Sequence, residues 1–332
     1  VIELKHVSKT FVMKKSRASA RRLLHAVQDV NLSLSQGKFI AVVGESGCGK
    51  STLGRMVSGL IPPSAGDIVI DGKTMTQAPR HAWKKWAQLV QLIPQDPYAA
   101  LNPVRTIKTS LAEPLLYHHK IRRGELNQRL ESLLDMVGLD AGNVLEKFPH
   151  QLSGGQRQRL VVARALTVDP QYLVADESVS MVDVSLRLEI LESMKQISRQ
   201  RQLGLMFITH DFRVARYIAQ GGEIVVMYLG RVIERGPTEE ILRSPQHPYA
   251  QSLISAVPIL EGRERRLEEI VPRNYELSVD GVPEHGCPFQ PRCPFATEKC
   301  VKESPELRGV DHPEHLVACH YAEPRKLIAA AN

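Results

Sequence analysis

Apolar and polar residues alternate from Val1 to Phe11, as in Val1-Ile2-Glu3-Leu4-Lys5-His6-Val7, the pattern of a half-exposed edge strand. Residues 13–22 are basic and poor in apolar side chains, and they read as a loop. Alternation returns from Val27 to Leu34 and stops at Gln36-Gly37. Lys38 to Val43 is then a short apolar run, as in a strand covered on both faces, and it feeds straight into a glycine-rich stretch. A helix is predicted from Lys50 to about Leu60, stopped by Pro62-Pro63, and Gly66–Gly72 reads as strand and turn.

Between Tyr98 and Leu166 the texture changes. Pro-punctuated loops lead into amphipathic stretches, notably Leu126 to Val137, where Leu130, Leu133, Leu134 and Val137 share one helix face. Leu173-Val174-Ala175 predicts a buried strand, Leu186 to Ser198 a helix, and Leu205-Met206-Phe207-Ile208 another strand. Strands alternating with helices argue for an α/β fold with a mainly parallel sheet covered on both faces, preceded by an antiparallel β subdomain and interrupted by a helical one. After Gly236-Pro237 the chain becomes rich in Pro and Arg, which marks a boundary. The predicted units are therefore a core of residues 1–97 and 167–236, a helical subdomain of residues 98–166, and a small Cys-rich C-terminal extension of residues 237–332. No internal repeat stands out.

Composition adds little until charge and cysteine are considered. With 43% hydrophobic and 24% charged residues in 332, the chain has the make-up of a soluble globular protein. No apolar run approaches the roughly 18–20 residues that span a bilayer. No secretory pattern opens the chain, although it begins with Val, so a cytosolic location is expected. The net charge of +7 is consistent with nucleic acid or an anionic membrane face, but Lys14, Lys15, Arg17, Arg21 and Arg22 concentrate it in one place, where a solvated basic loop accounts for it. Of the five cysteines, Cys48 lies in the glycine-rich stretch, while Cys287, Cys293, Cys300 and Cys319 crowd the tail and set it apart as a module.

The chemistry begins at Gly44-Glu45-Ser46-Gly47-Cys48-Gly49-Lys50-Ser51-Thr52, which matches G-x-x-x-x-G-K-[ST]. Gly44, Gly47 and Gly49 permit backbone angles that turn successive N–H groups inward, making an anion cradle at a helix N-terminus, to which Ser46 and Thr52 also belong. Lys50 would reach the β- and γ-phosphates of a nucleoside triphosphate, and the Ser51 hydroxyl would bind Mg²⁺. Cys48 reads as a small filler. Tyr172-Leu173-Val174-Ala175-Asp176-Glu177 is an apolar strand ending in two carboxylates. Asp176 is placed to hold the Mg²⁺ shell, and Glu177 to polarise the attacking water or accept its proton. Between these two motifs stands Leu152-Ser153-Gly154-Gly155-Gln156, again a glycine turn with a hydroxyl ahead of a helix.

In that order, and over nearly its whole length, the chain resembles the nucleotide-binding subunits of ATP-binding cassette transporters, built on a P-loop NTPase core. The resemblance implies an ATPase that binds ATP with Mg²⁺. It implies that Leu152–Gln156 is the signature that faces the γ-phosphate held by a second subunit, so that two subunits enclose two nucleotides. By the same resemblance Gln95, in Ile93-Pro94-Gln95-Asp96, contacts Mg²⁺ and couples to the membrane partner; His210, in Ile208-Thr209-His210-Asp211, contacts the γ-phosphate; and Phe11 stacks on adenine. Two departures stand out. Ser178 follows the acidic pair where Pro is usual, and Ser180-Met181-Val182-Asp183 replaces Ser-Ala-Leu-Asp, with Asp183 itself kept for communication between subunits.

Ser244-Pro245-Gln246-His247-Pro248-Tyr249-Ala250 with Leu253 resembles the C-terminal extension of the dipeptide, oligopeptide and nickel importer branch, and reads as a packing element. The cysteines beyond it are spaced C-x5-C-x6-C-x18-C, which matches neither a ferredoxin pattern nor a tight zinc finger. Four soft ligands suit zinc or an iron–sulfur cluster, and four buried thiols remain the plain alternative; disulfides are disfavoured in a reducing cytosol. The resemblance implies a [4Fe–4S] cluster on Cys287, Cys293, Cys300 and Cys319, while His285, His312, His315 and His320 keep Zn²⁺ open. It further implies a peripheral place on the cytoplasmic face of the membrane with two transmembrane permeases, a sister ATPase, and an extracytoplasmic solute-binding protein reached through the permeases. Peptides are the expected cargo, with nickel or oligosaccharides as alternatives. A soluble cassette ATPase acting on nucleic acid or ribosomes is the rival; nucleic acid is not expected as a partner.

Overall fold

The structure is a computed structural model describing residues 1–13, 22–76, 78–119, 121–255, 265–266, 285–310, 313–322 and 328–329. Two sheets carry it. The first has the order β2-β1-β4-β5, all antiparallel, from β1 (Ile2–Met13), β2 (Arg22–Leu34), β4 (Ala65–Ile70) and β5 (Lys73–Thr74). The second begins with β3 (Phe39–Val43) at its centre and takes in β6 (Val90–Ile93), β7 (Tyr172–Asp176), β8 (Gly204–Thr209), β9 (Glu223–Tyr228) and β10 (Arg231–Pro237). From β9 through β3, β8 and β7 to β6 its strands run parallel, and β10 adds on antiparallel.

Every residue of β3, β7 and β8 is buried, which is why Phe39–Val43, residues 173–175 and residues 205–208 read as unbroken apolar runs. The sheet is covered by α1 (Lys50–Val57) and α2 (Arg80–Leu89) toward the antiparallel sheet, and by α8 (Val184–Gln200) and α9 (Phe212–Ile218) elsewhere. The inserted helical part holds α3 (Pro97–Ala100), α4 (Ile107–His119), α5 (Arg123–Met136), α6 (Ala141–Val144) and α7 (Gly154–Leu166). The predicted face of Leu130, Leu133, Leu134 and Val137 is buried, in one core with Ile107, Leu111 and Leu160.

Several expectations change. β1 is not an edge strand: it lies between β2 and β4, with Ile2 opposite both Leu34 and Ile70. Its alternation is real, since Ile2, Leu4 and Val7 are buried, but alternation reports one covered face and says nothing of the neighbours along the sheet. The predicted loop at 13–22 is narrower, because Met13 ends β1 and Arg22 starts β2; its residues 14–21 lie outside the described residues. Helix α1 ends at Val57, before the prolines. Gly59 sits at φ 72° and the Leu60 N–H reaches back to the Arg55 carbonyl at 2.9 Å, so a left-handed glycine closes the last turn. Helix α2 adds to the elements that the pattern predicts. Its buried Trp86 donates from Nε1 to the Val57 carbonyl at 2.9 Å and so fixes the end of α1.

The extension returns to the core sheet. After α10 (Thr238–Arg243) and α11 (Pro248–Ser255), the short strands β12 (Arg308–Gly309) and β13 (Leu316–Val317) continue the sheet beyond β10, with α12 (Glu298–Lys302) ahead of them. A separate two-residue pairing joins β11 (Arg265–Arg266) to β14 (Ile328–Ala329).

Candidate active site

The phosphate-type loop is formed by steric necessity. Gly44, Gly47 and Gly49 have φ of 153°, 79° and 104°. A Cβ on Gly44 would lie 2.2 Å from the Met227 carbonyl oxygen, and one on Gly49 2.1 Å from that of Ala26. The loop is thus clasped between β2 and β9, and the Gly230 N–H closes the clasp by donating to the Cys48 carbonyl at 2.8 Å. Cys48 is a buried filler, its thiol pushed up by burial. Lys50 is buried at the start of α1, and its Nζ donates to the carbonyls of Gly44 at 2.7 Å and Glu45 at 2.8 Å.

Beside it, the Ser51 hydroxyl donates to Asp176 Oδ1 at 2.8 Å. Burial raises the Asp176 carboxyl above its ordinary range, against the opposing pull of that hydrogen bond and of Arg55 and Lys50. A hydroxyl beside a carboxylate offers the hard oxygen donors that Mg²⁺ takes, so Ser51 and Asp176 are the residues that could hold one. Glu177 comes next. One carboxylate oxygen, Oε2, accepts from Gln95 Nε2 at 3.3 Å, and the other, Oε1, lies 3.3 Å from His210 Nδ1. Gln95 follows β6, Glu177 follows β7 and His210 follows β8, so three adjacent strands deliver three side chains to one point.

Glu177 is also conformationally unusual, at φ 44° with a Cβ. Its N–H donates to the Ile208 carbonyl at 2.9 Å, and its own carbonyl accepts the Ser180 hydroxyl at 2.8 Å and the Ser180 N–H at 3.0 Å. Ser180 is therefore a support that sequence reading passed over as part of a departure. Ser178, the other departure, is buried, and its hydroxyl has no hydrogen-bond partner among the described residues. Met181 is exposed, Val182 is buried, and Asp183 stands just ahead of α8.

Ser153 and Gln156 cap α7 reciprocally: Ser153 Oγ accepts the Gln156 N–H at 3.2 Å and Gln156 Oε1 accepts the Ser153 N–H at 3.0 Å. Leu152 is buried, and Gly155 packs on Leu186 of α8. Among the described residues no hydrogen bond or ion pair joins residues 152–156 to the phosphate-type loop. Phe11 is partly exposed on β1, opposite Leu24 near Ala26, with Lys9 Nζ 5.4 Å from its ring centre.

The four tail cysteines come together. Cys287, Cys293, Cys300 and Cys319 line one cavity of about 40 Å³, with His247, Phe289 and His320. Burial pushes the Cys287 thiol up to about 12 and Cys319 up to about 11, and the neighbouring sulfurs add to both shifts. Among the described residues no three His, Cys, Asp or Glu side chains converge as ligands of a single metal ion. His315 is committed elsewhere, its Nε2 lying 2.7 Å from the buried Glu234 carboxylate. His320 Nε2 lies 2.8 Å from the Glu303 carbonyl, and His312 lies outside the described residues.

A strand–glycine loop–helix unit with an acidic pair on the next strand but one defines a phosphate-loop ATPase. Residues 27–180 match the ABC transporter family, and residues 233–300 match the C-terminal region of oligopeptide/dipeptide transporters. The chain is 40% identical over 318 residues to the dipeptide transport ATP-binding protein DppF of Haemophilus influenzae, spanning 96% of this chain and 95% of that protein. It is 37% identical to the oligopeptide transport ATP-binding protein AppF of Bacillus subtilis, spanning 96% and 97% respectively. Among solved structures, the dimeric structure of MJ0796, a bacterial ABC transporter cassette, superposes with a TM-score of 0.62 at 28% identity, over 72% of this chain and 99% of that one. The chain belongs to the ATP-binding subunits of the ABC transporter family, in the branch with the oligopeptide/dipeptide C-terminal region.

Proposed function

We propose that this chain hydrolyses ATP to drive uptake of dipeptides or oligopeptides through a membrane permease. The observation that carries the ATPase half is Glu177, held between Gln95 and His210 beside the Ser51–Asp176 pair. In this reading Lys50 and the loop N–H groups of residues 44–52 bind the triphosphate, Phe11 stacks on adenine, and Ser51 and Asp176, with Gln95, hold Mg²⁺. Glu177 is the general base toward water, and His210 senses the γ-phosphate. Leu152–Gln156 of one subunit meets the nucleotide of the other, and Asp183 passes the closure across the dimer. Closure on ATP and opening after hydrolysis are transmitted to the permeases through Gln95 and the helical residues 98–166.

The peptide cargo rests on the relatives' names and on the matched C-terminal region. The proposed assembly is two transmembrane permeases, this ATPase with a sister ATPase, and an extracytoplasmic binding protein, with the chain peripheral on the cytoplasmic face. Among the described residues no helix is long and apolar enough to cross a membrane, so the permeases would supply the membrane path.

The extension is proposed to hold a [4Fe–4S] cluster on Cys287, Cys293, Cys300 and Cys319. Four sulfurs around one cavity support it, and the cluster would supply the positive charge that buried thiols need in order to ionise. A single zinc ion needs its donors about 2.3 Å from one point, whereas a cluster places each cysteine on its own iron.

The test is mass spectrometry of what co-purifies with the tagged chain from native membranes in mild detergent, with iron and sulfide measured on the same sample. Two permeases, a second ATPase and a binding protein carrying peptide are expected. A soluble preparation carrying nucleic acid or ribosomal proteins would contradict the transport reading.

A further inference from the structure

The extension reaches the phosphate loop at Glu45, and every polar group of that residue is in use. Its N–H donates to Tyr249 Oη at 2.9 Å. Its carboxylate accepts a two-pronged contact from Arg292, with Nη1 to Oε2 at 2.8 Å and Nη2 to Oε1 at 3.0 Å. Its carbonyl accepts Lys50 Nζ at 2.8 Å. Glu45 therefore stands between the extension and the lysine of the loop.

Both extension residues are themselves fixed. The Tyr249 ring packs 4.7 Å from Tyr228 and 5.5 Å from Phe289, centre to centre. The Arg292 guanidinium lies 5.8 Å from the rings of both Tyr228 and Phe289, and its side chain is only 8% exposed. Its backbone N–H donates to the Phe289 carbonyl at 3.0 Å, and that of Cys293 donates to the same carbonyl at 2.9 Å. The turn that carries two of the four cysteines thus also aims the guanidinium.

We propose that Arg292 and Tyr249 are positioning residues of the nucleotide site, so that the extension completes the loop rather than merely packing beside it. Glu45 is the only carboxylate in residues 44–52, a loop built to receive a polyanion. Unpaired, it would repel the phosphates and hold Lys50 away from them. A planar, permanently charged guanidinium in fork geometry cancels that charge and fixes the carboxylate, while Tyr249 fixes the backbone of the same residue. No other ion pair ties the extension to the loop among the described residues. The inference rests on the loop being the ATP site.

The experiment is equilibrium binding of MgATP to the full chain, with the thermal midpoint measured in the same buffer. Arg292→Ala is expected to weaken MgATP binding about tenfold, the low end for a hydrogen bond to a charged group, because the guanidinium acts on the phosphates only through Glu45. Adding Glu45→Gln to that variant is expected to recover most of the loss, since the unpaired charge is then gone. Tyr249→Phe, which deletes only the hydroxyl, is expected to weaken binding about threefold. Lys50→Ala, run alongside, reports the loop itself: normal binding there would refute the ATP-site reading rather than this one. Wild-type affinity in Arg292→Ala, or a loss that Glu45→Gln does not recover, would overturn the proposal. Where Arg292→Ala does not fold, unchanged affinity in Tyr249→Phe overturns it alone.

Discussion

The glycines of the phosphate loop carry unequal burdens. Gly47, at φ 79°, has nothing within 4 Å of a would-be Cβ, while Gly49, at φ 104°, would drive one to 2.1 Å from the Ala26 carbonyl oxygen. Gly47→Ala meets only the left-handed backbone strain, about 1 kcal/mol. Gly49→Ala adds a collision with a strand backbone, because Ala26 sits in β2, and Gly230 crowds the same carbonyl. Its cost should reach about 3 kcal/mol or more. Urea unfolding of the two variants checks this, and equal costs would mean that the clasp between β2 and the loop yields. The motif was fully legible in the sequence, but this difference was not, since the atoms that make it come from Ala26 in β2 and from Gly230. Ser180 escaped notice for a related reason: its hydroxyl matters through the Glu177 carbonyl it holds, which depends on the positive φ of Glu177.

At the scale of elements, what was legible followed from burial on both faces. β3 is apolar throughout, β7 is apolar up to Asp176 and β8 from Leu205 to Ile208, and the leucine face of α5 repeats at helical spacing. What was not legible depended on distant partners. Helix α2 is Arg80-His81-Ala82-Trp83-Lys84-Lys85-Trp86-Ala87-Gln88-Leu89, too charged and short for its pattern to stand out, yet Trp86 holds the end of α1. The interior place of β1 depends on β4, some sixty residues later, and the Arg292–Glu45 pair spans 247 residues, beyond any local pattern.

The junction of β10 with the extension is another such case. Glu234, fully buried, accepts the N–H groups of Gln246 at 2.9 Å and His247 at 2.8 Å and faces His315. His247 is itself buried, its Nδ1 accepts the Tyr249 N–H at 3.0 Å, and burial lowers its pKa from 6.5 to about 3. The folded chain therefore keeps this imidazole neutral where the unfolded chain protonates it. Its contribution to stability is whole above pH 6.5 and declines as pH falls toward 3, by at most about 1.4 kcal/mol per pH unit. His247→Asn keeps an acceptor for Tyr249 without the titration. The wild type's advantage over that variant should shrink between pH 6.5 and 4 in thermal melts; a constant difference would place the pH sensitivity elsewhere.

Across the whole molecule, one sheet delivers the chemistry and its margins connect it outward. Gln95, Glu177 and His210 leave neighbouring strands β6, β7 and β8 and meet at the Glu177 carboxylate, while β3 between β8 and β9 supplies the loop. The helical insert begins directly after Gln95, and the extension joins the same sheet at β10 and grips the loop through Glu45. The groups proposed for phosphate binding, water activation and coupling to the permeases thereby all attach to one sheet. The base assigned within it is the claim on which the rest depends. The most direct measurement is steady-state ATP hydrolysis by Glu177→Gln in the assembled transporter, with MgATP affinity measured on the same preparation. Binding should be retained while turnover falls about 10²–10⁴-fold, the range for losing a general base. Hydrolysis at the wild-type rate would show that Glu177 is not the base.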